Sequence, residues 1–195
     1  KGENFINQYA QPSKQESKKI IAHGYAKIYE KYLKGQKDKI SSIIELGSFY
    51  GNASAAFFFY FKNAKIYSAD INPDMYLYSS KRLKNFFTDT SSRSSIEKNI
   101  INKNIKFDLI IEDASHMLKD QIISLFTLFR TLNSGGLFIV EEIDFPEKRE
   151  DMRINQDYPD LKTILKKIMN KENFNSKYIN ENEKLFFLDN VETIK

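Results

Sequence analysis

The spacing of apolar residues changes repeatedly along this chain, and each change marks a boundary between kinds of secondary structure. Ile20, Ile21, Tyr25, Ile28, Tyr29, Tyr32 and Leu33 recur at helical spacing up to Gly35, which predicts an amphipathic N-terminal helix within residues 17–40. His23-Gly24-Tyr25 interrupts it and reads as a packing contact. The polar stretch 1–16, with Pro12, reads as an N-terminal arm. Short runs rich in aliphatic, β-branched and aromatic residues follow at 43–46, 65–70, 85–88, 107–112 and 137–140, lengths that suit buried strands. Between them lie helical stretches at 53–61, which is apolar nearly all round, at 75–83, at 96–101 and at 118–132. In the last of these, Ile122, Ile123, Leu125, Phe126, Leu128, Phe129 and Leu132 make one apolar face, and Ser134-Gly135-Gly136 supplies the stop.

Strands alternating with helices predict βαβ units, hence one Rossmann-like α/β domain over 1–195, its core at 41–195 and its sheet mostly parallel with helices on both faces. Beyond it, 147–153 is a charged surface excursion and 160–169 a last helix. Two short strands, 176–179 and 185–188, separated by Asn180-Glu181-Asn182-Glu183, predict an antiparallel hairpin at the sheet edge. No repeat or low-complexity linker argues for a second domain.

Chemistry enters at the strand ends. The first strand stops at Glu45-Leu46 and passes through Gly47-Ser48-Phe49-Tyr50-Gly51 into a helix beginning Asn52-Ala53-Ser54. Glycines in such a loop let backbone approach a ligand, with the helix N–H groups facing it. A dinucleotide site needs GxGxxG to seat a pyrophosphate, whereas this loop is GxxxG, with bulky Phe49 and Tyr50 inside it. Glu45 repels phosphate and suits a cation. The segment resembles the first motif of class I S-adenosylmethionine (SAM) methyltransferases, whose cofactor carries a sulfonium and an amino group and no phosphate. Glu45, Gly47, Ser48, Gly51, Asn52 and Ser54 are its cofactor-binding candidates here. Asp70 ends the second strand about twenty residues past the glycines, where a carboxylate catches the ribose hydroxyls. Asp89 and Thr90 follow the third strand, at the loop that flanks the adenine in methyltransferases, and Glu112 at the end of the fourth strand completes the set.

The fourth strand ends in Glu112-Asp113, with His116, one of 2 histidines, just beyond. The fifth ends in Glu141-Glu142, with Asp144 behind. Ligands of open α/β sheets sit beyond the carboxyl ends of strands, so neighbouring fourth and fifth strands would crowd Asp113, Glu141, Glu142 and His116 together. Carboxylates that close repel one another, and a hard divalent ion, magnesium, calcium or manganese rather than zinc, relieves the repulsion. Histidine titrates near neutrality and suits a general base.

Glu45-Leu46-Gly47-x-x-x-Gly51, Asp70, Asp113-Ala114-Ser115-His116 and Gly135-Gly136 leading to Val140-Glu141-Glu142 together resemble the macrolide-sugar O-methyltransferases of the mycinamicin and macrocin type. The similarity runs over roughly 17–145 and includes His23-Gly24-Tyr25. It implies that Asp113, Glu141 and Glu142 bind Mg2+, that His116 is the general base on a sugar hydroxyl with Asp113 as its catalytic neighbour, and that SAM donates the methyl group. The chain departs from the family pattern at Glu112-Asp113-Ala114, where two aspartates and a glycine are usual, and at Glu142, where an aspartate is. Three alternatives stay open: a metal-independent methyltransferase relying on His116, an NAD-linked oxidoreductase, and a non-catalytic SAM-binding protein.

Composition narrows the partners. There are no cysteines, which removes disulfides, thiol catalysis and cysteine zinc sites, and agrees with a cytoplasmic setting. The 30 Lys and Arg are scattered among 26 Asp and Glu, a solvated surface with no nucleic-acid stripe. No apolar run reaches the ~20 residues of a membrane span. The expected partner is a carbohydrate acceptor, for which the net charge of +4 mildly favours a nucleotide-linked or phosphorylated form. A homo-oligomer is compatible with all of this.

Overall fold

The computed structural model describes residues 25–195; the arm 1–16 and the part of the first helix before Tyr25, with His23 and Gly24, lie outside the described residues. In chain order the elements are α1 (Tyr25–Leu33), β1 (Ser42–Leu46), α2 (Asn52–Tyr60), β2 (Lys65–Asp70), β3 (Leu83–Phe87), α3 (Arg93–Asn99), β4 (Phe107–Glu112), α4 (Leu118–Leu128), β5 (Leu132–Val140), α5 (Phe145–Lys148), α6 (Leu161–Met169) and α7 (Glu181–Asn190). The strands form a five-stranded sheet in the order β3-β2-β1-β4-β5, every pair parallel. The chain runs outward from β1 to β3, then returns to β4 on the other side of β1. That reversal opens a crevice beyond the tips of β1 and β4.

Both faces of the central strands are covered, which is why they read as unbroken apolar runs. Ile43, Leu109 and Ile111 pack with Tyr29, Leu33, Phe57 and Phe61 of the α1–α2 layer. Ile44, Leu46 and Ile110 face the opposite way, onto Ile96, Leu118, Ile122, Phe126, Ile164 and Phe187. Register then decides what emerges at the crevice. Leu46 pairs with Ala69 and with Glu112, and Glu112 with Val140. The next residues along, Gly47, Asp70, Asp113 and Glu141, therefore leave the sheet as one rank.

Three expectations are corrected. The helix expected at 75–83 is a 3-10 turn, Pro73–Met75, followed by extended chain into β3. Its polar groups go to partners elsewhere: the Leu77 N–H donates to the Tyr50 carbonyl at 3.1 Å and the Tyr78 hydroxyl to Asn52 Oδ1 at 2.8 Å. The helix expected to 132 ends at Leu128, and Ser134-Gly135-Gly136 lies inside β5 rather than stopping α4. There the partners of Phe107 and Leu109 jump from Leu132 to Leu137, and Gly135, at φ +73°, accommodates the extra residues.

The antiparallel hairpin is absent among the described residues, and α7 stands in its place. Asn180 and Glu183 form a reciprocal cap: the Asn180 side chain accepts the Glu183 N–H at 2.8 Å, and Glu183 accepts the Asn180 N–H at 3.2 Å. Glu183 also accepts from the Arg93 guanidinium at 2.9 and 2.8 Å and from the Thr127 hydroxyl at 3.0 Å. The Phe187 ring lies 4.8 Å from Phe126 and 4.5 Å from Phe129. The run 185–188, read as a strand, is thus part of a capped helix from which Phe187 enters the core while Leu185, Phe186 and Leu188 stay exposed.

Glu183→Ala removes the reciprocal half of the cap and leaves a half-buried guanidinium without its carboxylate, so urea unfolding should show a loss of roughly 3 kcal/mol. Asn180→Ala removes the cap alone and should cost about 1 kcal/mol.

Candidate active site

Gly47 and Gly51 take φ of +82° and +83°, where L side chains are strained. Neighbours enforce both. A Cβ on Gly47 would stand 2.1 Å from the Asp113 carbonyl oxygen, and one on Gly51 would stand 2.3 Å from the Tyr76 ring. The Gly47 N–H continues the β1–β2 pairing by donating to the Ala69 carbonyl at 2.8 Å. Phe49 adopts φ +46° and donates its N–H to Asp70 Oδ2 at 2.8 Å, while the Asn72 N–H donates to Oδ1 at 2.8 Å. The Asp70 carboxylate is thus fixed by backbone donors, and each oxygen keeps a lone pair for a ligand hydroxyl.

Glu45 and Ser54 lie beneath the loop rather than on its surface. Ser54 donates to Glu45 and is 2.7 Å from Ser68, whose hydroxyl is 3.0 Å from that of Tyr76. Burial pushes the Glu45 carboxyl from 4.5 up to about 8; the Ser54 hydrogen bond opposes the shift and the Glu141 and Asp70 charges add to it. The Ser48 hydroxyl is buried with no hydrogen-bond partner. Asn52 is exposed at the start of α2. Asp89 accepts the Ser91 N–H at 2.9 Å and donates its own N–H to Ser95 at 3.0 Å, so it builds the turn into α3, with Thr90 buried beside it.

On the other side of the crevice the strand pairing runs one residue past the sheet. The Asp113 N–H donates to the Leu46 carbonyl at 3.0 Å and the Glu141 N–H to that of Glu112 at 2.9 Å. Burial, followed by the charges of Glu141, Glu45, Glu112 and Glu142, lifts the Asp113 carboxyl far above the usual aspartate range. Glu112 is fully buried and neither of its oxygens has a hydrogen-bond partner. Burial raises it to about 8; the nearby Ala114 amide opposes the shift, and the Asp120 and Glu141 charges add to it. His116, at φ +59°, brings Nε2 to 3.7 Å from Asp113 Oδ1, and its ring meets Phe145 edge-on at 5.2 Å. Ser115 donates to Asp120 at 2.6 Å and accepts the Met117 N–H at 3.2 Å, which fixes the turn carrying His116. Glu142 lies at φ +48°, its carbonyl accepting from Gln121 Nε2 at 3.1 Å.

The structure therefore brings Glu141, Glu142 and Glu45 within electrostatic reach of Asp113 and sets His116 beside it. Among the described residues, no three His, Asp or Glu side chains converge closely enough to hold a metal ion. The donors themselves, oxygen acids that repel one another, are those a hard cation takes, and a positive ligand would relieve the strain recorded in their shifted protonation. Sequence reasoning missed Tyr29, which donates to Glu141, and Ser68 and Tyr76, which tie Glu45 to the loop. Tyr29 was hidden in the apolar face of its helix. Ser68, a polar residue facing inward from a buried strand, was the available signal.

No protein-family model matches the chain. The structure superposes on the MycE methyltransferase of the mycinamycin biosynthetic pathway, solved with Mg, SAH and mycinamycin VI, with a TM-score of 0.70 at 18% identity over 87% of this chain and 45% of that one. The chain shares the fold of that methyltransferase. A further MycE structure, with Mg and SAH, gives 0.68 at 18% identity over 87% and 44%. The 8-demethyl-8-α-L-rhamnosyl tetracenomycin-C 2'-O-methyltransferase of Streptomyces olivaceus is 26% identical over 128 residues, 62% of this chain. This methyltransferase-fold chain spans 33% of the length of that curated relative. No described helix is long and apolar enough to cross a membrane.

Glu45 gives the ligand-free protein a distinctive pH dependence. Its folded pKa of about 8 exceeds the ordinary 4.5, so its contribution to stability is complete below about 4.5 and is lost as pH rises through about 8. Unfolding free energy measured in urea should fall between those limits, and Glu45→Gln, which keeps an acceptor for Ser54, should flatten the fall.

Proposed function

We propose that this chain is the catalytic core of a SAM-dependent O-methyltransferase that methylates a hydroxyl of a sugar or glycosylated small molecule, with Mg2+ at the site and His116 as general base. The observation that carries this reading is the rank formed by Gly47, Asp70, Asp113 and Glu141 at one sheet edge, with His116 Nε2 3.7 Å from Asp113. The relatives support it: one is a rhamnosyl tetracenomycin-C 2'-O-methyltransferase, and another was solved with mycinamycin VI.

SAM, when bound, supplies a methyl group made electrophilic by its sulfonium. Asp70, held by the N–H groups of Phe49 and Asn72, accepts the ribose hydroxyls. The Gly47–Gly51 backbone lets the cofactor approach the start of α2, where Ser48, Asn52 and Ser54 lie, and Asp89 and Thr90 edge the adenine. Glu45 and Glu112, buried acids, lend the cleft its preference for a cation. Asp113, Glu141 and Glu142 are the residues that would hold Mg2+, and the ion would supply Lewis-acid chemistry to an acceptor hydroxyl. His116, whose Nε2 lies beside Asp113, takes the hydroxyl proton as the oxygen accepts the methyl group and the sulfur leaves as the neutral thioether. Phe145 packs on the imidazole ring and limits its rotation.

A second reading, methyl transfer with His116 as base and no metal, is favoured by the lack of three convergent ligand side chains among the described residues. Calorimetry of the metal-stripped protein separates the readings. SAM should bind and NAD should not, and Mg2+ should bind in a further titration. His116→Ala should retain SAM binding while turnover on a sugar acceptor falls by roughly 10²–10⁴. Turnover that survives chelation supports the metal-free reading. Binding of NAD, or of neither cofactor, overturns both.

A further inference from the structure

We infer that Tyr76 is a positioning residue for the cofactor loop, wedged against Gly51 and acting on Glu45 through Ser68 and Ser54; this rests on the SAM site proposed above. The stretch 76–78, extended where the sequence predicts helix, grips the loop at successive points. The Tyr76 ring occupies the space where a Cβ on Gly51 would stand, the Leu77 N–H donates to the Tyr50 carbonyl at 3.1 Å, and the Tyr78 hydroxyl donates to Asn52 Oδ1 at 2.8 Å. The loop so held fits a cofactor. Its two glycines present bare backbone at positive φ, and the buried Ser48 hydroxyl has no hydrogen-bond partner among the described residues.

Beneath the loop, the Tyr76 hydroxyl lies 3.0 Å from that of Ser68, Ser68 lies 2.7 Å from Ser54, and Ser54 donates to Glu45. Ser54 and Ser68 are fully buried and Glu45 nearly so, which leaves each hydroxyl dependent on the next for its partner. A hydroxyl has one hydrogen to give. With Glu45 ionised beside a cationic ligand, all three contacts can be made in one order: Tyr76 donates to Ser68, Ser68 to Ser54 and Ser54 to Glu45. Burial raises the Tyr76 phenol above its ordinary range, so it keeps the proton that this order requires. Hydrogen bonds to a buried carboxylate favour its charged form and fix its rotamer, and hydroxyls in series strengthen one another. The charged form is the one that attracts the positive groups of SAM. Phenylalanine at 76 would fill the space beside Gly51 equally well, so the hydroxyl serves the chain that ends at Glu45.

Tyr76→Phe keeps the ring beside Gly51 and deletes the terminal donor, whereas Ser68→Ala keeps the tyrosine and cuts the chain. In calorimetric titrations with SAM, each should raise the dissociation constant roughly 3–10-fold, the loss of about one hydrogen bond. In a Glu45→Gln background, Tyr76→Phe should add no further loss, because its effect runs through the carboxylate. Equal SAM affinity in Tyr76→Phe and the unaltered protein overturns the inference and leaves the cofactor site intact. A loss of the same size with and without Glu45 also overturns it, assigning Tyr76 to the packing of the loop alone. Failure of the unaltered protein to bind SAM removes the cofactor reading and this inference with it. Urea unfolding of each variant reports whether the fold is retained; if Tyr76→Phe does not fold, Ser68→Ala in the same two backgrounds decides in its place.

Discussion

The burial of carboxylates that a parallel register sets close together is the constraint the rest of the site answers to. Glu45, Glu112, Asp113 and Glu141 end three adjacent strands, and the first three hold protons well above the ordinary carboxylate range. Burial is the first cause in each case and neighbouring charge adds to it. Such an arrangement opposes folding near neutral pH, and the apolar layers on both faces of the sheet must offset it. A ligand that carries positive charge binds the folded state alone and recovers the loss, so cofactor or metal binding and stability are linked in one equilibrium. The same acids in a neutral cleft would have no such reason to be gathered.

The other half of the crevice works through backbone. Gly47 and Gly51 are held at positive φ by what stands against them, Asp113 on one side and Tyr76 on the other. Tyr76 in turn is tied through Ser68 and Ser54 to Glu45, so the loop's shape depends on a buried polar chain that begins at the first strand's acid. The segment 76–80 gives up helical structure to make these contacts, an instance of tertiary partners overriding local propensity.

Legibility in the sequence followed physical range. Strands buried on both faces are apolar runs whatever surrounds them, and the acids that end them are displaced to the crevice by register alone, so β1, β2, β4, β5 and Asp70, Asp113 and Glu141 were all readable. Contacts between distant segments were not. Tyr76 and Tyr78 look like helix formers until Ser68 and Asn52 are known to bind them. The run 185–188 is too short for periodicity to separate strand from helix, and the deciding signal was the Asn180-x-x-Glu183 cap just before it. Gly135 looked like a helix stop because a bulge inside a strand and a helix end ask the same of glycine. Tyr29 shared its spacing with core residues, and only the fold shows its hydroxyl meeting a residue at the far end of the sheet.

The strand order divides labour across one junction. On the β1–β2–β3 side stand the glycine loop and Asp70, groups that recognise hydroxyls and admit backbone approach. On the β4–β5 side stand the acids and His116, groups that handle charge and protons. The two sides meet where Gly47 passes the Asp113 carbonyl, so close that an added methyl would stand 2.1 Å from the oxygen. Glycine at 47 thus sets the distance between the half proposed to hold the cofactor and the half that holds His116. In a displacement reaction, whose rate depends on reacting atoms meeting within a few tenths of an ångström of the productive geometry, that spacing matters as much as the identity of the base. Any larger residue at 47 must part the strands at the point where the proposed chemistry needs them nearest.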